Sequence, residues 1–161
     1  MNLEDSVELR YQKLNGNKEY SSECKKAYQK YQQIKELLME REDAKGLALL
    51  DELVVSAQRY IQSVVRMDLP QSLQYRLETW EFQEQLQELD KARKISHDAL
   101  IAQLRATNRY LFKNYQAGEE VPYGGVYSLS PHTLSPTIDR FAVGEWAGYL
   151  ILGLYEQRKK S

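Results

Sequence analysis

Along most of this chain apolar residues recur at steps of three and four, the spacing that lines one face of an α-helix. The pattern is clearest from Asp43 to Met67, where Leu47, Leu50, Val54, Ala57, Ile61 and Val64 alternate the two steps without a miss. Leu49, Leu53 and Tyr60 widen that stripe, so the segment predicts a helix packed against more than one neighbour. Cys24, Ala27/Tyr28, Tyr31, Ile34 and Leu38 form another stripe and predict a helix from Tyr20 to Arg41. Leu3 to Leu14 reads as a short helix ahead of it.

Glycine and proline punctuate the rest. Pro70 suits the first turn of a further helix, with Leu73, Leu77 and Trp80 facing inward. No glycine or proline then occurs between Gln71 and Ala117. The stripe nevertheless slips register, from Leu77/Trp80 to Phe82/Leu86/Leu89, and one helix over that span would measure about 70 Å. A break near Asp90 is therefore predicted, with a fifth helix beyond it. Residues 117–135 read as a Gly/Pro/Tyr-rich loop or small hairpin turning at Gly124-Gly125. Ser135 and Pro136 then supply a cap and a first-turn proline for a last helix, residues 136–158. Its Phe141, Ala142, Val143, Trp146, Tyr149, Leu150, Ile151 and Leu154 surround the axis, which predicts the most buried helix. Gly144 and Gly148 would let another backbone come close, and Arg158, Lys159 and Lys160 complement the C-terminal dipole. The expectation is an all-α, single-domain bundle of five to six helices over residues 1–161.

Composition narrows the function classes. At 161 residues, with 42% hydrophobic and 28% charged, the chain can bury one core and is too apolar for wholesale disorder. A net charge of −1 gives no general attraction to nucleic acid or anionic lipid. The single cysteine, Cys24, excludes an intrachain disulfide, and its place on an apolar stripe predicts a buried structural thiol. No secretory pattern opens the sequence, and the most apolar stretch, Phe141–Tyr155, contains Glu145 and is too short to span a bilayer. A cytoplasmic protein without a membrane partner is expected.

Candidate chemistry concentrates between Arg93 and Leu111. At 100° per residue, His97, Ile101, Leu104 and Asn108 share one helical face, with Asp98, Arg105 and Arg109 on the neighbouring stripe. Glu145 lies amid apolar residues, and a buried carboxylate is costly unless paired, so Arg105 or Arg109 is its expected partner. The six polar residues His97, Asp98, Arg105, Asn108, Arg109 and Glu145 then form either a structural cluster that sets helix register or the lining of a pocket. Adjacent helical residues point about 100° apart, so Asp98 is badly placed to orient His97 as a catalytic base, and no enzyme is expected. The two histidines and one cysteine lack metal-ligand spacing, and Gly124-Gly125 lacks the ending of a phosphate loop. Neither a metal nor a cofactor is expected.

Twelve tyrosines against three phenylalanines suit half-exposed positions and interfaces. Tyr28 and Tyr31 interleave with Lys25, Lys26 and Lys30, an arrangement able to serve as a nucleic-acid or partner face. The competing explanation is a solvated lysine face beside a tyrosine-rich core edge. The lack of a helix-turn-helix sequence and the slightly acidic balance also disfavour nucleic acid. Glu78, Glu81, Glu84, Glu88 and Asp90 could complement the lysines within the fold or across a dimer.

Three blocks carry a family likeness. Arg93 with His97-Asp98-Ala99-Leu100-Ile101, then Leu104 with Asn108-Arg109, then Arg140-Phe141 with Gly144-Glu145-Trp146, together resemble a small family of uncharacterised bacterial proteins. Its members occur mainly in Firmicutes and their mobile elements. The resemblance implies a helical fold, a contact between Glu145 and the Asn108-Arg109 pair, and no chemistry. The leading expectation is a non-enzymatic protein acting through a protein partner or homo-oligomer, with a helix face or the Tyr123/Tyr127 loop as surface and a phage or mobile element as setting. The alternatives are nucleic-acid binding through residues 18–35, and a small-molecule pocket at His97, Asn108 and Glu145.

Overall fold

The structure is a computed structural model that describes residue 8 and residues 17–67, 80–115, 125–127 and 140–160. These residues form an all-α bundle of four helices: α1 (Lys18–Glu40), α2 (Ala44–Met67), α3 (Trp80–Asn114) and α4 (Arg140–Lys160). The Asn17 side chain caps α1 by accepting from the Tyr20 N–H at 3.2 Å. Buried Cys24, Ala27, Tyr31, Ile34 and Leu38 make the inner face of α1, the stripe its spacing predicts.

The turn from α1 to α2 closes by a two-bond C-terminal motif. The Glu42 N–H donates to the Met39 carbonyl at 3.1 Å and the Asp43 N–H to that of Leu38 at 2.9 Å. The motif requires a left-handed residue at its centre, and Glu42 fills that place with φ +53°. A side chain there costs about 1 kcal/mol relative to glycine. Glu42→Gly is therefore expected to raise stability by up to about 1 kcal/mol, read as a higher urea midpoint. Asp43 then caps α2, accepting from the Gly46 N–H at 2.9 Å. Gly46 thus lies in the first turn of α2, and a Cβ there would lie 2.6 Å from Leu38 Cδ2.

Helices α2 and α3 pack antiparallel, and polar contacts fix their register from end to end. Ser63 and Ser96 hydroxyls meet at 2.9 Å, and Tyr60 lies against the His97 ring at 5.1 Å. Gln103 and Thr107 both donate to the Leu49 carbonyl at 3.4 Å. Tyr110 and Tyr115 hydroxyls both donate to the Asp43 carboxylate at 2.7 Å. Helix α4 packs mainly on α1 and runs in the same direction, Tyr20 meeting Gly148 and Tyr149, and Cys24 meeting Gly153 a turn later. The core joining the two pairs contains Ile34, Leu38, Leu50, Leu53, Leu100, Leu104, Val143 and Leu150, all fully buried.

Three expectations change. Helix α3 runs unbroken through Asp90, whose carboxylate pairs within the helix with Arg93 at 2.7 Å and Lys94 at 3.7 Å. Its 35 residues extend about 52 Å, and Gln83–Glu88 are exposed apart from half-buried Leu86, so this part of the rod need not fold back on the core. Four helices rather than five to six are seen among the described residues. The helix expected over Leu3–Leu14, apart from residue 8, and the one opening at Pro70 lie outside the described residues. So do the start of the last helix before Arg140 and most of the 117–135 loop. Third, α4 ends at Lys160, and the close backbone approach occurs at Gly153, where a Cβ would lie 2.6 Å from the Cys24 carbonyl oxygen. Gly144 and Gly148 instead admit the hydroxyls of Tyr60 and Tyr20.

Candidate functional site

The six polar residues singled out in the sequence separate into two places. His97, Asp98 and Glu145 line a cleft of about 540 Å³ to which every one of the four helices contributes. Tyr20 comes from α1; Tyr60, Ile61 and Val64 from α2; Arg93 and Lys94 join His97 and Asp98 from α3; Gly144, Gly148 and Tyr149 join Glu145 from α4. The opening follows from helix pairing. Because α3 packs on α2 and α4 on α1, the α3 and α4 helices touch only sparsely, and the gap between them stays open to solvent. Glycines keep the α4 wall low. An added Cβ would lie 2.8 Å from the Tyr60 hydroxyl at Gly144 and 3.2 Å from that of Tyr20 at Gly148.

Aromatic rings line much of the cleft. Tyr20 meets Tyr149 edge-on with ring centroids 4.9 Å apart, and Tyr60 tilts against His97. Burial pushes the Tyr149 phenol above its ordinary pKa of 10.0, and the nearby Glu145 charge adds to the shift. Tyr149 thus remains a neutral hydroxyl throughout the physiological range.

Glu145 itself departs from the expectation of a buried, paired acid. It is exposed on the cleft side of α4, and it forms no ion pair with Arg105 or Arg109 among the described contacts. The physical reason is the sparse α3–α4 contact: those guanidiniums lie on a helix that packs elsewhere. Arg109 is exposed, and Arg105 is half-buried with its Nε shielded and unbonded.

Asn108 lies two to three helical turns beyond the cleft and is fully buried. Its Oδ1 accepts from the Val126 N–H at 3.0 Å, while its Nδ2 has no hydrogen-bond partner. This contact docks the turn Gly125–Tyr127, whose Tyr127 meets the Trp146 ring at 5.6 Å and is half-buried. Gly125 has φ +69°, and a Cβ would collide with Asn108 Oδ1. Gly125→Ala is accordingly expected to cost about 2 kcal/mol and to release the turn, seen as increased exposure of Trp146 to a fluorescence quencher.

The Lys/Tyr segment is also divided. Lys25 and Lys26 are exposed, with Lys26 3.4 Å from Glu23, and burial lowers the Lys30 pKa from its ordinary 10.5. Tyr31 is 6% exposed and belongs to the core, and Tyr28 is half-buried against Gly153. The stacking surface expected for a nucleic-acid face is therefore turned inward. Cys24 is buried, and burial, with the charges of Glu156 and Glu23, pushes its thiol up to about 12. Such a thiol stays protonated and unreactive.

The feature that periodicity missed is the Asp43–Tyr110–Tyr115 junction between the start of α2 and the end of α3. Asp43 is signalled as a helix cap by its place before the apolar run, but nothing in the local pattern links it to tyrosines so distant in sequence. Among the described residues, no group of three or more His, Cys, Asp or Glu is arranged to hold a metal ion, and no helix is long and apolar enough to cross a membrane.

These observations define an all-helical protein with an aromatic, charge-lined cleft. The chain matches the model of a family described as Protein of unknown function (DUF3232) over residues 13–160, and it belongs to that family. The match reaches well into the N-terminal half, which the blocks from Arg93 onward do not cover. Comparison with curated proteins and with solved structures found no match.

Proposed function

We propose that this protein is a non-enzymatic binding protein and that the cleft beside His97 and Glu145 receives its ligand. The carrying observation is the cleft's construction. Four helices contribute to it, its volume falls in the range of small-molecule sites, and tyrosine rings, charged groups and the apolar side chains of Ile61 and Val64 line it together. His97 and Asp98 are adjacent on α3 and point about 100° apart, so Asp98 is badly placed to orient His97 as a catalytic base, which supports binding rather than catalysis. A cytoplasmic location and the bacterial, mobile-element setting suggested by the three sequence blocks belong to the same proposal.

Fragment screening by NMR on the full chain tests it. Binders should shift the amides of Gly144 and Gly148 saturably, and Val64→Trp should weaken them by narrowing the cleft. A folded protein whose cleft amides respond to no fragment at millimolar concentration would overturn the reading. Protein–protein contact is the second reading, favoured by Ile95, which is 71% exposed on α3, together with exposed Met39 and Val55. Light scattering showing a dimer that Ile95→Glu dissociates would support it.

A further inference from the structure

Resting on that reading, we infer that the cleft takes an organic cation, a small apolar body carrying an ammonium head, with Glu145 as its counter-ion. The first argument is charge balance. The two cations at the rim, Arg93 and Lys94, are drawn to Asp90 at 2.7 and 3.7 Å. Asp90 lies outside the cleft and offsets one of the two, while Asp98 and Glu145 line the cleft itself, so three acids face two cations. Glu145 makes no hydrogen bond or ion pair among the described residues, and it projects from a helix wall that the glycines on either side of it keep low.

The second argument is the aromatic setting. Tyr149 lies one turn along α4 from Glu145, and the Tyr20 and Tyr149 rings, both in the cleft lining, meet at 71° with centroids 4.9 Å apart. Ring faces carry negative potential and attract alkylammonium groups, the more so beside a carboxylate. Because Tyr149 keeps its proton, the ring supplies this attraction without ionising. Ile61 and Val64 complete an apolar wall for the body of the ligand. An anion would meet the Asp98 and Glu145 carboxylates in the lining and an excess of negative charge, and so is disfavoured by the same geometry.

The test titrates the full chain, 15N-labelled, with three probes that share a phenyl ring: benzyltrimethylammonium, benzyl alcohol and phenylphosphonate. The permanently charged cation should shift the Gly144 and Gly148 amides saturably, and Glu145→Gln should weaken it by about tenfold. Because Glu145 is exposed, that variant should keep the parent's circular dichroism and urea midpoint. Asp90→Asn, which frees Arg93 and Lys94, should also weaken the cation. Equal binding of benzyl alcohol, or unchanged affinity in Glu145→Gln, would overturn the assignment of Glu145. Phenylphosphonate occupying the cleft in preference to the cation would overturn the ligand class while leaving the cleft as a binding site. Silence of the cleft amides toward all three probes would overturn this inference, and silence across a broad fragment set as well would take the binding reading with it.

Discussion

Replacing Asp43 with alanine is expected to remove about 3 kcal/mol of stability, seen in urea unfolding as a lower midpoint with an unchanged slope. Asp43 serves three groups at once: the Gly46 N–H at the start of α2 and the hydroxyls of Tyr110 and Tyr115 at the end of α3. Loss of a cap costs about 1 kcal/mol, and each hydroxyl bond to a carboxylate contributes a similar amount. Tyr115→Phe should lose only the share of its own hydroxyl bond, which separates that bond from ring packing. The same junction gives stability a pH dependence at both ends. Burial by itself would raise the Asp43 carboxyl, but Tyr115, the Gly46 N–H, Tyr110 and the Lys45 charge outweigh it and hold the pKa below 3.8. The contribution is therefore complete above pH 3.8 and is lost as pH falls through the depressed folded value. Tyr115 is shifted the other way, by burial and then by Asp43, so its contribution is complete below pH 10.0 and declines as pH rises further. Asp43→Asn should flatten the acid arm in urea midpoints measured across pH. An unchanged acid arm would remove Asp43 as its source.

Gly153→Ala is expected to cost about 3 kcal/mol, although alanine is the better helix former. The added methyl would lie 2.6 Å from the Cys24 carbonyl oxygen and 3.1 Å from Tyr28 Cβ. A backbone carbonyl inside α1 cannot move aside without shifting the helix, so α1 and α4 must separate. Gly144→Ala provides the contrast. Its methyl would meet the Tyr60 hydroxyl at 2.8 Å, the far end of a side chain that can swing toward the cleft, and the cost should stay near 1 kcal/mol or less. Equal destabilisation by the two variants in parallel urea titrations would show that α1 and α4 do not meet as closely at Gly153.

What could be read in advance followed from local spacing. The stripe from Cys24 to Leu38 became the buried face of α1, and α2 occupies nearly the span its apolar period marks. The buried sector of α4 was legible in Val143, Trp146, Leu150 and Ile151, all of which are buried, although the helix is not buried all round as expected. Glu145 was not, because hydropathy around it indicates burial of the helix as a whole and not which narrow sector faces a gap. That depends on α3 choosing α2 as its neighbour, a long-range outcome of contacts such as Ser63 with Ser96 and Leu49 with Thr107. The placement of Asn108 shows the same limit. Its face on α3 was predictable, whereas its bond to Val126 depends on a turn that returns from a distant part of the chain. The break expected at Asp90 failed for a different reason: compactness was assumed of a helix whose early turns are mostly solvated.

That lopsided burial along α3 has a dynamic corollary. Its later turns are clamped by Leu100, Leu104, Thr107 and Leu111, whereas Gln83–Glu88 rely almost entirely on their own intrahelical bonds. In deuterium oxide the amides of the early turns should exchange by local fraying, orders of magnitude sooner than those around Leu104, which open only when the bundle does. On the timescale of hydrogen exchange one continuous rod should then behave as two cooperative units, with Arg93 and Lys94 at the cleft rim near the boundary between them.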